Sequence, residues 1–180
     1  MIKSLYPVFQ HWSKTGSVWL FSDPHFDDSD TKVMNPNWIE PDEQIKILKE
    51  CCPKNDTLIL LGDIGNPEYI RQLKCYKVLI SGNHDYGLSK YESYFDEMYG
   101  GPLFISDRIV LSHERLPYMP YALNIHGHHH NGHNSDNYYS VCADVVDYTP
   151  VNLGKLIKSG ILSKIPTIHR YTIDKEDRDG

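Results

Sequence analysis

Several things are scarce in this 180-residue chain, and each scarcity excludes a class of protein. No apolar run approaches the ~20 residues that a membrane-spanning helix needs. The first residues, MIKSLYPVFQHW, carry one lysine, and Pro7, Gln10 and His11 break any apolar stretch of the kind that opens a secretory signal, so none is expected. There is no basic excess: the formal net charge is −6, which argues against extensive gripping of duplex nucleic acid by its backbone. The four cysteines, Cys51, Cys52, Cys75 and Cys142, form no C-x-x-C pair and no zinc-ribbon spacing. Free thiols in a reducing cytoplasm are the expectation. Repeats and low-complexity linkers are absent, and 40% hydrophobic with 23% charged residues is ordinary for a globular chain. One domain over residues 1–180 is expected, with the charged tail from about residue 174 frayed.

What is present is an alternation of short apolar runs and helical stretches. SVWLFS (17–22), TLILLG (57–62), YKVLISG (76–82), YALNIHG (121–127) and YYSVCADVV (138–146) read as strands. PLFISDRIVLSH (102–113) reads as a hairpin turning at Ser106-Asp107. PDEQIKILKECC (41–52), PEYIRQL (67–73), SKYESYFDEMYG (89–100) and NLGKLIKSG (152–160) read as helices. Strands and helices alternate early and antiparallel pairs are expected later, which gives a layered α/β arrangement with mixed sheets. Polar residues collect where the apolar strands end, and in open α/β sheets that is where ligand sites lie.

Five such endings carry chemistry. In DPHFDD, Asp23 and His25 are two apart, so on extended backbone they face one way and can grip one cation. In LILLGDIG, Asp63 follows a glycine, and a carboxylate can bridge two cations through its two oxygens. LISGNHDYG is the strongest signal: the Asn83 amide oxygen suits a metal, His84 can donate a proton, and Asp85 can fix a histidine tautomer. IVLSHERLP adds His113, with Arg115 two residues on as a candidate substrate clamp. NIHGHHHNGHN (124–134) holds five of the ten histidines. On extended backbone His128 and His130 face one side and His129 the other. Asp, His and Asn donors in this number fit two mixed nitrogen and oxygen sites, suited to manganese, iron, zinc or nickel better than to magnesium or calcium alone.

The order D-x-H, G-D, G-N-H-D, H and G-H-x-H resembles the calcineurin-like metallophosphoesterase superfamily. The motifs span residues 22–130, and VCADVVDYTPVNLGKLI (141–157) looks like that family's continuation into its last strand and helix. The compact length is similar to that of small prokaryotic and phage members. The resemblance implies a four-layer α/β/β/α sandwich of two mixed sheets, with the site at the strand carboxyl ends. It implies two divalent ions per chain, manganese first among the candidates. Asp23, His25 and His130 would hold one, and Asn83, His113 and His128 the other, with Asp63 bridging. A metal-bridging hydroxide would attack phosphorus in line in a phosphomonoester or phosphodiester, with ions roughly 3.5–4 Å apart. His84, backed by Asp85, would contact the phosphate and act as general acid or transition-state stabiliser. Asn83 and Arg115 are the candidate substrate contacts. A nucleotide or a nucleic-acid end fits such a site; a membrane partner is not expected, and the oligomeric state is left open. Where the family often has Phe-Gly-His, this chain has Phe26-Asp27-Asp28, which adds acid at the mouth. Two other readings remain at this point: a catalytically silent metal-binding scaffold of the same fold, and a single-metal histidine-asparagine-histidine nuclease built on HHHNGHN.

Overall fold

The computed structural model describes residues 12, 14, 16–130, 132 and 134–166. His133 and the tail expected to fray lie outside these residues.

The first sheet has the order β4-β3-β2-β1-β9 and the second β5-β6-β7-β8. Strands β1 (Val18–Phe21), β2 (Thr57–Leu60), β3 (Tyr76–Ile80) and β4 (Glu97–Tyr99) run parallel, and β9 (Val151–Asn152) closes the far edge antiparallel to β1. In the second sheet β5 (Leu103–Ser106) and β6 (Ile109–Ser112) form the expected hairpin. β7 (Leu123–His126) and β8 (Tyr138–Ser140) then add in parallel. The later part of the chain is therefore less antiparallel than its sequence suggests. A hairpin can be read from a short turn, whereas the longer connections after β6 and β7 bring each new strand back in the same direction.

β2 shows how the layers form. All four of its residues are buried, as befits a strand covered on both faces. Leu58 and Leu60 join the cluster with Phe21, Ile45, Leu48 and Leu79, while Ile59 joins Leu20, Val78, Leu111, Leu123 and Ile125 between the sheets. Each such side chain contributes about 1.5–3 kcal/mol of burial. Helices flank the paired sheets. α1 is a short turn (Thr31–Met34). α2 (Pro41–Cys51) begins with Pro41, carries Asp42 and Glu43 in its first turn and Lys49 in its last, and buries Ile45 and Leu48 against the first sheet. A 3-10 helix (Pro67–Gln72) packs beside it. α3 (Leu153–Lys158) is capped by Asn152, whose side chain accepts from Lys155 N, and it packs beside β1 and β9.

Two sequence expectations are corrected. Residues 89–100 are not one helix: a 3-10 turn at Leu88–Tyr91 gives way to β4. The open edge of β3 recruits Glu97–Tyr99 by pairing with Val78–Ile80, and Glu97 accepts from the Trp12 indole and the Tyr76 hydroxyl. These non-local bonds override the local helical pattern. The stretch 138–146 is strand only to Ser140 and then makes a single bridge, Ser22 to Cys142, before turning. Val145 N and Val146 N both donate to Cys142 O, and that turn ends the extended run.

Candidate metal centre

β1, β2 and β3 of one sheet and β6 and β7 of the other deliver their following residues to one place. The loops after β1 and β2 stay paired past the strand ends: Asp23 N donates to Gly62 O, His25 N to Asp63 O and Phe26 N to Ile64 O. Gly127 N donates to His113 O in the second sheet. The sheets meet where His128 N donates to Asp23 Oδ2 at 2.9 Å. Gly127 is required there, since a Cβ would collide with Ser22 and Asp23.

Four of the expected ligands have positive φ: Asp23 (56°), His25 (45°), Asp63 (53°) and His128 (66°). The expectation of extended backbone therefore fails at Asp23, His25 and His128, although the residues converge on one place. Such conformations cost on the order of 1 kcal/mol or more apiece and cluster at functional sites. The His128/His129/His130 division also arises differently. A turn at His128, rather than strand alternation, sends His128 towards His113 and His130 towards His25. His129 is exposed and packs edge-on against His126 and His128.

Two groups of donor atoms result. In the first, ligand atoms of Asp23, His25 and His130 lie within 4.8 Å of one another; in the second, those of Asp63, His113 and His128 do. Asn83 joins the second group, its Oδ1 being 2.7 Å from His113 Nε2. Asp63 Oδ1 accepts from His84 N at 2.9 Å, so a single oxygen, Oδ2, faces both groups, 3.3 Å from His113 Nε2 and 4.0 Å from His25 Nε2.

The donor set fits cations. Asp23 Oδ1 and His25 Nε2 are buried, 3.9 Å apart, and neither has a hydrogen-bond partner. Leaving two such atoms unsatisfied costs several kcal/mol unless something positive sits between them. In the second group, the Nδ1 of His113 faces Leu61 O at 2.7 Å, and its Nε2 faces His128 Nδ1 at 3.2 Å as well as Asn83 and Asp63. Burial alone would push the His113 pKa down, but its hydrogen bond to Asp63 and the charges of Asp23 and Asp63 outweigh this and raise it to about 9. For Asp63, burial works upward and the contacts with His113 overcome it, so its pKa is lowered.

The remaining predicted residues fall as follows. His84 is exposed at the mouth, its ring 6.0 Å from that of His25. Asp85 is not behind the His84 ring as expected. Its carboxylate accepts from the N–H groups of Gly82, Asp63 and Ile64 and from the Tyr91 hydroxyl, so it frames the Asp63 loop instead. Arg115 stacks on the Tyr138 ring, 3.7 Å from guanidinium carbon to centroid. His126 is buried, with Nδ1 on Gly127 O. The nuclease motif read in HHHNGHN needs a ββα hairpin, but here the histidines follow a strand parallel to its neighbour.

Three side chains support the ligands, and two of them, Asp144 and Cys142, escape the sequence reading. Asp28 Oδ2 is 3.2 Å from His25 Nδ1, and Asp144 Oδ1 is 3.0 Å from His130 Nδ1. Cys142 Sγ donates to Asp23 Oδ2 at 3.3 Å. His130, Cys142 and Asp144 form a third close group, in which burial raises the Cys142 thiol pKa far above its ordinary value and the thiol donates to Asp23. Asp28 belongs to the acidic pair after His25, for which support of the ligands is one of two readings; nothing in the sequence pattern marks Asp144.

A family model described as calcineurin-like phosphoesterase matches residues 16–176. No curated protein matches the chain. Among solved structures, a protein of unknown function from Aquifex aeolicus is 25% identical, with a TM-score of 0.66, covering 79% of this chain and 98% of that one. The nuclease MPE from Pseudomonas putida is 20% identical, with a TM-score of 0.46, covering 63% of this chain and 61% of that one.

Proposed function

Because the chain belongs to the calcineurin-like phosphoesterase family, we propose that it is a dinuclear metal-dependent phosphoesterase acting on a phosphomonoester or phosphodiester of modest size. The observation that carries this reading is the pair of donor groups with Asp63 Oδ2 between them, one group containing two buried, unpartnered ligand atoms. Asp23, His25 and His130 would hold one ion, Asn83, His113 and His128 the other, and Asp63 would contact both. Bound divalent ions supply Lewis acidity, polarising the phosphoryl oxygens and activating water for in-line attack. Manganese is the first choice, with iron, nickel or zinc as alternatives, because the donors mix imidazole with oxygen. The net charge of −6 supports a small ester or a nucleic-acid end over long duplex.

The chain's own residues do the rest. His84 is anchored by its backbone N–H on Asp63 Oδ1, which leaves the exposed imidazole free to meet the ester and to protonate the departing oxygen. Asp85 holds the Gly82 and Asp63 backbones, and so acts on position and not on protons. Arg115 keeps its candidacy as a phosphate contact, with its guanidinium presented on Tyr138 and exposed. General-acid help contributes typically 10²–10⁴-fold, mostly where the leaving group is poor. His84→Ala should therefore lose on the order of 10²-fold or more with alkyl esters and much less with nitrophenyl esters. Equal losses across a leaving-group series in kcat/KM would remove the general-acid role.

A further inference from the structure

The two donor groups differ in what stands behind their histidines. In the first, His25 Nδ1 meets Asp28 Oδ2 at 3.2 Å and His130 Nδ1 meets Asp144 Oδ1 at 3.0 Å. A carboxylate on Nδ1 fixes the tautomer, leaves the Nε2 lone pair free and makes it a better donor. The Nε2 of His25 is buried, without a hydrogen-bond partner, and faces Asp23 Oδ1 in the same condition. Asp23 is pinned in turn, since its Oδ2 accepts from His128 N and Cys142 Sγ. The second group has no equivalent. His113 Nδ1 faces the neutral Leu61 carbonyl. Among the described residues no carboxylate from outside the ligand set hydrogen-bonds to the His128 ring.

We propose that Asp28 and Asp144 are positioning residues that orient His25 and His130 and so set the affinity of the first metal position separately from the second. This rests on the dinuclear reading above. Asp144 should matter more: its side chain is 7% exposed against 32% for Asp28, so water screens it less.

Cobalt(II) titration of the chelator-treated full chain tests this, because its visible absorption reports the ligand set at each step. The wild type should take up two ions. Asp144→Asn should weaken one of the two steps by roughly 10–100-fold and alter that step's absorption, leaving the other unchanged. Asp28→Asn should weaken the same step by less, and Asp144→Glu should recover part of the loss. In an Asn83→Ala/His128→Ala background, where only the first position is left, the Asp144→Asn loss should persist. The metal-free unfolding midpoint of the Asn variants should match the wild type, since Asn keeps an acceptor oxygen. Unchanged steps in both Asn variants would overturn the proposal, as would equal weakening of both steps or a fall in the metal-free midpoint alone. A wild type binding fewer than two ions would overturn the dinuclear reading and this proposal with it.

Discussion

The first donor group has carboxylates behind both of its histidines; the second has a neutral carbonyl behind His113 and one exposed donor, Asn83. Asp23 and His25 are buried, and carboxylates stand behind both histidines of their group. In the second group Asp63 and His113 are equally buried, His128 is half-buried like His130 of the first, Asn83 is exposed, and His113 leans on a main-chain carbonyl. Both groups draw on imidazole and oxygen donors, so the difference lies in the support and not in the ligands. A site can thus be duplicated in chemistry and still differ in what stands behind its ligands, because the backing residues come from different loops.

The largest expected effect erases the contrast. Asp63→Asn removes the negative oxygen facing both groups. Metal content should fall below two and kcat/KM by about 10³-fold or more, as expected when several kcal/mol of charge stabilisation are lost. Elemental analysis beside a phosphodiester assay would check it, and two retained ions with full activity would end the role assigned to Asp63.

A smaller effect sharpens the contrast through pH. His113 is raised from its ordinary 6.5 to about 9 in the metal-free fold. A raised folded-state pKa gives stability that is fully present below the unfolded value and lost as pH rises through the folded one. The metal-free protein should therefore lose stability between about pH 6.5 and 9, while the metal-loaded protein, whose cation replaces that proton, should not. Unfolding midpoints of EDTA-treated and loaded protein at the two pH values decide this; parallel curves would count against it.

The smallest effect concerns His129, which is exposed and makes edge-on ring contacts with His126 and His128. His129→Ala should keep two ions and leave kcat/KM within about a factor of two, as for a surface substitution. Loss of an ion would show that the turn at His128 had been misassigned.

The convergence of the candidate residues was legible because Asp23, His25, Asp63, Asn83, His84, His113, His128 and His130 all follow apolar runs that read as strands. Their supports were not legible. Asp144 lies in a stretch that reads as strand, and its contact with His130 exists only because the chain turns after the Ser22–Cys142 bridge. Asp28 is adjacent to Asp27 in an undifferentiated acidic pair, yet Asp28 meets His25 while Asp27 accepts from Asn66 and Tyr69. β4 was misread because Glu97–Tyr99 is a strand only beside the edge of β3.

By itself the sequence determined most of the alternating elements and the order of polar strand ends that carries the family resemblance, since apolar periodicity and motif order are local and survive in one dimension. The tertiary structure decided the rest: which oxygen of Asp63 faces both groups, that Asp85 braces a loop instead of a histidine, and which acids stand behind which imidazoles. Those choices depend on left-handed backbone at Asp23, His25, Asp63 and His128 and on contacts between two sheets. No local pattern encodes them, because a strained conformation persists only where packing from distant parts of the chain holds it.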